Sequence, residues 1–183
     1  LRNIRFQYVT ISVIAACVAV FLYQLSLGGA AGDTFIFGFG AIPAVVFGSR
    51  ALPEGMVAAP VALSLVTSMF LHGGFMHLAG NMLFLWVFGD NVEDSMGHRR
   101  FLVFYLVCGV AAGLAHAMAN PASELPMVGA SGAISGILGA YFILHPKVKV
   151  WVLLFAWIPL KLPTFVILGL WAGMQVVTSF AAD

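Results

Sequence analysis

The sequence predicts an all-α membrane protein, a polytopic helical bundle with five spans in a single domain over residues 1–183. Three observations carry that expectation. Hydrophobic residues make up 62% of the chain and charged residues 8%, whereas a soluble domain is about a quarter charged. Several apolar stretches reach the roughly 17–25 helical residues needed to cross about 30 Å of hydrocarbon. The cations also segregate, with seven of the eight Lys and Arg in loops that alternate with the spans and only Arg50 opposite them.

Taken in chain order, residues 8–27 form the first span, behind Arg2 and Arg5. No small-residue cleavage site follows it, so it is expected to be a retained span and not a signal peptide. Residues 34–49, rich in Phe, suit an interfacial segment at headgroup level. Residues 55–89 contain no Asp, Glu, Lys or Arg and are too long for one span. The Gly73-Gly74 pair divides them into a re-entrant or surface lead-in and a second span from about Phe75 to Val92. Residues 101–118 and 128–144 supply the third and fourth spans. Residues 150–160 are short enough to be interfacial, and residues 164–180 form the fifth span behind Pro163, which a helix start tolerates.

Arg99 and Arg100, and then Lys147, Lys149 and Lys161, fall on the side of the N-terminus. By the positive-inside rule that side is cytoplasmic. The net charge of +1 offers no basic patch to neutralise phosphates, so a nucleic-acid partner is excluded. Cys17 and Cys108 sit within apolar runs and are expected as packed thiols, not as a disulfide.

Polar groups within hydrocarbon are costly, so each one present requires a reason. The topology puts His72, His77 and His116 toward the outer face and His98 and His145 toward the cytoplasm. Ser131 falls at the outer end of the fourth span, level with His77 and Asn81. Those two are four residues apart and share one helix face. The plain alternative is that His77 and Asn81 are interhelical hydrogen-bond partners, while Gly132 and Gly136 form a small-residue packing face around Ser131.

The segments HGGFMHLAGNMLFLWVFGDNVEDSMGH (72–98) and GASGAISGILGAY (129–141) together resemble the prokaryotic rhomboid intramembrane serine proteases. The match is to that family's H-x-x-x-x-H-x-x-x-N pattern and its G-x-S-G motif. The resemblance implies a six-span bundle that cleaves transmembrane segments of membrane proteins near the outer face. It implies Ser131 as nucleophile, with His77, Asn81 and the Ser131 N–H as donors to the oxyanion, and structural roles for His72, Glu93 and Gly97. No cofactor or metal is implied; the partners are transmembrane protein substrates and the lipid bilayer. Acyl transfer needs this set of a nucleophile, a base and preorganised donors.

Members of the family carry the base histidine on a sixth helix, and no such motif follows Phe180. His145 lies a full span away from Ser131. His72 and His116 are on the correct side but match positions that are not catalytic in the family. The expectation is therefore a sequence truncated before the sixth span and, on its own, without activity. The position four residues after the nucleophile, often aromatic in the family, is Ser135. The Trp-Arg pair of some members' first outer loop has no counterpart beyond Arg50. A non-proteolytic relative of the derlin type, binding or moving membrane proteins, is the main alternative. A small transporter or channel is weaker, because no carboxylate is expected within a span.

Overall fold

The computed structural model describes residues 4, 6–154 and 158–181, with side chains described outside 152–158 and 176–183. Eight helices and one hairpin follow in chain order. They are α1 (Tyr8–Leu27), α2 (Gly29–Phe39), α3 (Pro43–Val46), α4 (Val61–Thr67) with a 3₁₀ turn at Ser68–Phe70, α5 (Phe75–Met96), α6 (His98–Ala119) and α7 (Ser131–Leu144). Strands β1 (Lys149–Leu154) and β2 (Ile158–Pro163) then lead into α8 (Thr164–Ala181). Arg2 and Arg5, which entered the orientation argument, lie outside the described residues.

Helices α5, α6 and α7 form the centre, with α1 against α5 and α8 against α7. Leu85, Val92, Phe101, Tyr105, Ile134, Ile137 and Leu138 are buried where they meet. The outward faces are apolar too, with Leu22, Leu83, Trp86, Val103 and Val107 exposed, as suits helices whose solvent is lipid. Close approach of α6 and α7 depends on glycine. A Cβ at Gly136 would stand 2.4 Å from the Cys108 sulfur, and one at Gly132 would stand 2.6 Å from the Ala112 Cβ.

The chain departs from the sequence expectation in four places. By length and composition α1 and α6 can cross a bilayer, and a third crossing exists if α4 with its 3₁₀ turn and α5, bent by 84°, count as one. Among the described residues that measure does not confirm the expected count of five spans. The fourth expected span shortens to α7, whose 14 residues extend about 21 Å. Residues 127–130 are held outside the helix, because Met127 pairs with Ala41 as an isolated bridge and the Gly129 N–H donates to the Ser68 carbonyl at 2.8 Å.

The fold is helical as expected apart from one pair of strands. Residues expected as an interfacial stretch form the antiparallel hairpin β1–β2, registered from Lys149 opposite Pro163 to Leu154 opposite Ile158. Val150, Trp151 and Val152 favour strand, while Pro159 and Pro163 disfavour a helix interior. Pro163 therefore closes β2, and α8 opens one residue later at Thr164, whose hydroxyl donates to the Val148 carbonyl at 2.9 Å. The Phe-rich segment is likewise two helices, α2 and α3, parted at Gly40–Ala41. Finally, α5 runs past Val92 to Met96 and takes Glu93, fully buried, into the helix.

Candidate active site

The site is built where α7 begins. Gly129 has φ +116°, a conformation that L side chains rarely adopt, and a Cβ there would lie 2.7 and 2.8 Å from Cε1 and Nε2 of His77. Only glycine meets both conditions. Ala130 is the N-cap and Ser131 the first helical residue. The Ser131 N–H therefore has no carbonyl four residues back in the helix to pair with. Its side chain is half-buried, and among the described residues none hydrogen-bonds the Ser131 hydroxyl.

The Gly73-Gly74 break ends in α5, with Gly74 as N-cap. His77 is therefore in the first turn and Asn81 one turn further along the same face. The His77 side chain is exposed, and its Nδ1 accepts a bond from the Gly73 N–H at 3.4 Å. Asn81 is buried. Its Nδ2 donates to the His77 carbonyl at 2.9 Å, which leaves a second amide hydrogen, and its Oδ1 is buried without a partner. His77 thus sits on the Gly129 backbone, two residues from the nucleophile candidate. An oxyanion developing beside Ser131 would have the Ser131 N–H and, across Gly129, the His77 ring to bond to.

The remaining histidines are distributed elsewhere. His72 is buried, with Nδ1 donating to the Phe70 carbonyl at 3.3 Å and Nε2 unpartnered. Its backbone is clasped by Gln24 of α1, whose Nε2 donates to the His72 carbonyl at 3.1 Å and whose Oε1 accepts the His72 N–H at 3.2 Å. His116 is exposed in the last turn of α6. His145 is the C-cap of α7, about 21 Å along the helix from Ser131. His98 pairs with Glu93 at 2.5 Å. Among the described residues, no histidine hydrogen-bonds Ser131.

One participant had no sequence signal. Trp171 of α8 donates from Nε1 to the Ser135 Oγ at 2.9 Å, and the Ser135 hydroxyl donates to the Ser131 carbonyl at 2.8 Å. The same indole packs on Phe84 of α5, ring centroids 4.3 Å apart. An indole thus reaches Ser135, where the family often has an aromatic, from another helix 36 residues on. A tryptophan in an apolar span does not announce its partner. Arg50 pairs with Glu124 at 2.7 Å, both largely exposed, an arrangement of little energetic consequence. Cys17 and Cys108 are free thiols.

The chain belongs to the rhomboid family: the family's Rhomboid domain model matches residues 60–183. Among similar proteins, Rhomboid protease GluP of Bacillus subtilis (strain 168) is 41% identical over 96 residues, covering 52% of this chain and 18% of that protein. RHOMBOID-like protein 5 of Arabidopsis thaliana is 38% identical over 76 residues, 42% of this chain and 25% of that protein. Rhomboid protein 1, mitochondrial, of Saccharomyces cerevisiae is 35% identical over 97 residues, 51% of this chain and 28% of that protein. The matched region thus spans between about a fifth and three-tenths of each of these relatives. No solved structure matches. Family membership makes this an integral, multi-pass membrane protein.

Proposed function

We propose that the chain carries the nucleophile and oxyanion groups of an intramembrane serine endopeptidase that cleaves transmembrane segments of membrane proteins. The observation that carries the reading is the start of α7 at Ser131 over a glycine that seats the His77 ring. Ser131 attacks the scissile carbonyl; His77 Nε2–H, the free Asn81 amide hydrogen and the Ser131 N–H bind the resulting oxyanion. The base that takes the Ser131 proton is a histidine outside these 183 residues, on a sixth helix that meets α7. Segregation of the cations sets the N-terminus in the cytoplasm of an inner membrane and the site toward the outer face.

A second reading is favoured by one observation, the lack of any described histidine bonded to Ser131: a derlin-type relative that binds or moves membrane proteins without cleaving them. A fluorophosphonate probe separates the two. On the complete protein it is expected to label Ser131 and not Ser135, and Ser131→Ala is expected to abolish the labelling. Equal labelling of Ser131→Ala and wild type would remove the protease reading. The 183 residues alone are expected to label weakly, since an unassisted serine hydroxyl is a poor nucleophile.

A further inference from the structure

Two imidazoles meet at the entrance to α5. The rings of His72 and His77 are 5.3 Å apart at an interplanar angle of 63°, and each is tied to backbone through Nδ1, but to groups of opposite kind. A carbonyl oxygen only accepts, so the His72 Nδ1 facing the Phe70 carbonyl at 3.3 Å must carry the proton. A neutral ring has one N–H, and His72 Nε2 is then a bare acceptor, buried and unpartnered. An amide N–H only donates, so the His77 Nδ1 facing Gly73 N–H at 3.4 Å must be bare. The His77 proton is then on Nε2. The partner of one ring nitrogen fixes the state of the other.

The position of His77 explains why it accepts there. With Gly74 as N-cap and Phe75 first in the helix, His77 is the third helical residue. A Glu or Gln at that position commonly reaches back to an unpaired backbone N–H in a capping box. His77 does the same with its Nδ1, one residue further back at Gly73. The other side of the ring faces the loop before Ser131, because Cε1 and Nε2 are the atoms that a Cβ on Gly129 would strike. A ring protonated on Nδ1 would lose the Gly73 bond and turn a lone pair toward the Ser131 loop.

We infer that the backbone sets these two histidines in opposite tautomers, His72 as Nδ1–H and His77 as Nε2–H. Gly73 and Gly129 are the positioning residues that turn the His77 N–H toward the substrate carbonyl oxygen. The tautomers follow from the hydrogen bonds alone; their use in oxyanion binding rests on the proteolytic reading. The two glycines therefore have different duties. Gly129 is required for space and for its positive φ, whereas Gly73 is required for its N–H.

Ring-nitrogen NMR of [15N]histidine-labelled complete protein in detergent tests this, because bare and protonated nitrogens give distinct signals. His72→Gln and His77→Gln assign the two rings among the five histidines. The expected result is a bare Nδ1 with a protonated Nε2 for His77, and the reverse for His72. The same tautomer for both, or exchange averaging at His77, would overturn the inference. Gly73→Pro, which removes the N–H, is expected to give a mixed pattern at His77 and to lower kcat about tenfold with KM unchanged. Gly73→Ala keeps the N–H, and its Cβ would lie 3.8 Å from His77 Nδ1, so it is expected to keep the wild-type ring pattern. An unchanged His77 pattern in folded Gly73→Pro would remove Gly73 from the account. Opposite tautomers without fluorophosphonate labelling would defeat the protease reading and leave the tautomers standing.

Discussion

The two ends of α5 treat buried polar groups in opposite ways. At its C-terminal end, Glu93 is fully buried and its carboxylate is saturated. Oε1 accepts from the Val9 N–H at 3.0 Å and faces His98 Nδ1 at 2.5 Å; Oε2 accepts from the Thr10 N–H at 2.8 Å and the Thr10 hydroxyl at 2.7 Å. Helix α1 has no side-chain cap of its own, so Glu93 satisfies its orphan N–H groups from a different helix. At the other end, Asn81 is equally buried, yet its Oδ1 is unpartnered and its one hydrogen bond is to the backbone of its own helix. A saturated polar residue joins elements and holds the fold. One with unused hydrogen-bonding capacity is left able to bond a group that arrives from outside.

Substitutions at the saturated end should show up as stability. Glu93→Ala strands the α1 donors and is expected to cost about 3 kcal/mol, read as a lower melting temperature in detergent. Fluorophosphonate labelling of Ser131 per folded molecule should not change. A labelling loss larger than the loss of folded protein would show that the two ends are coupled. Thr10→Val preserves shape and removes one of the bonds to the carboxylate. Its expected cost is smaller, about 1.5 kcal/mol, and a melting temperature equal to wild type would mean that the Thr10 hydroxyl adds nothing to the cap.

The same contrast separates what was legible in the sequence from what was not. The N-terminal end of α5 is written locally. Gly73-Gly74 before an apolar run set the start of α5, and four-residue spacing put His77 and Asn81 on one face. The C-terminal end of α5 is written over long distances. Glu93 lies 83 residues from Thr10, and no periodicity connects a carboxylate to the N-terminus of another helix. The shortening of α7 has the same cause, since Val128, Gly129 and Ala130 suit a helix by composition and are held out of it by Ala41 and Ser68. The hairpin was missed for a different reason. Its strands are short, apolar runs of a kind that periodicity alone does not separate from other buried segments.

Asn81→Ala in the complete protein, with kcat and melting temperature measured on one detergent preparation, tests the central claim most directly. An oxyanion donor matters only as negative charge develops, so kcat is expected to fall about 10²-fold with KM nearly unchanged. Stability should also be nearly unchanged, because the one bond lost lies within α5. An interhelical packing partner predicts the reverse, a loss of about 0.6 kcal/mol with activity falling only in step with the folded fraction. A destabilised Asn81→Ala protein with normal kcat per folded molecule would contradict the account and leave Ser131 as the one residue of the proposed site still standing.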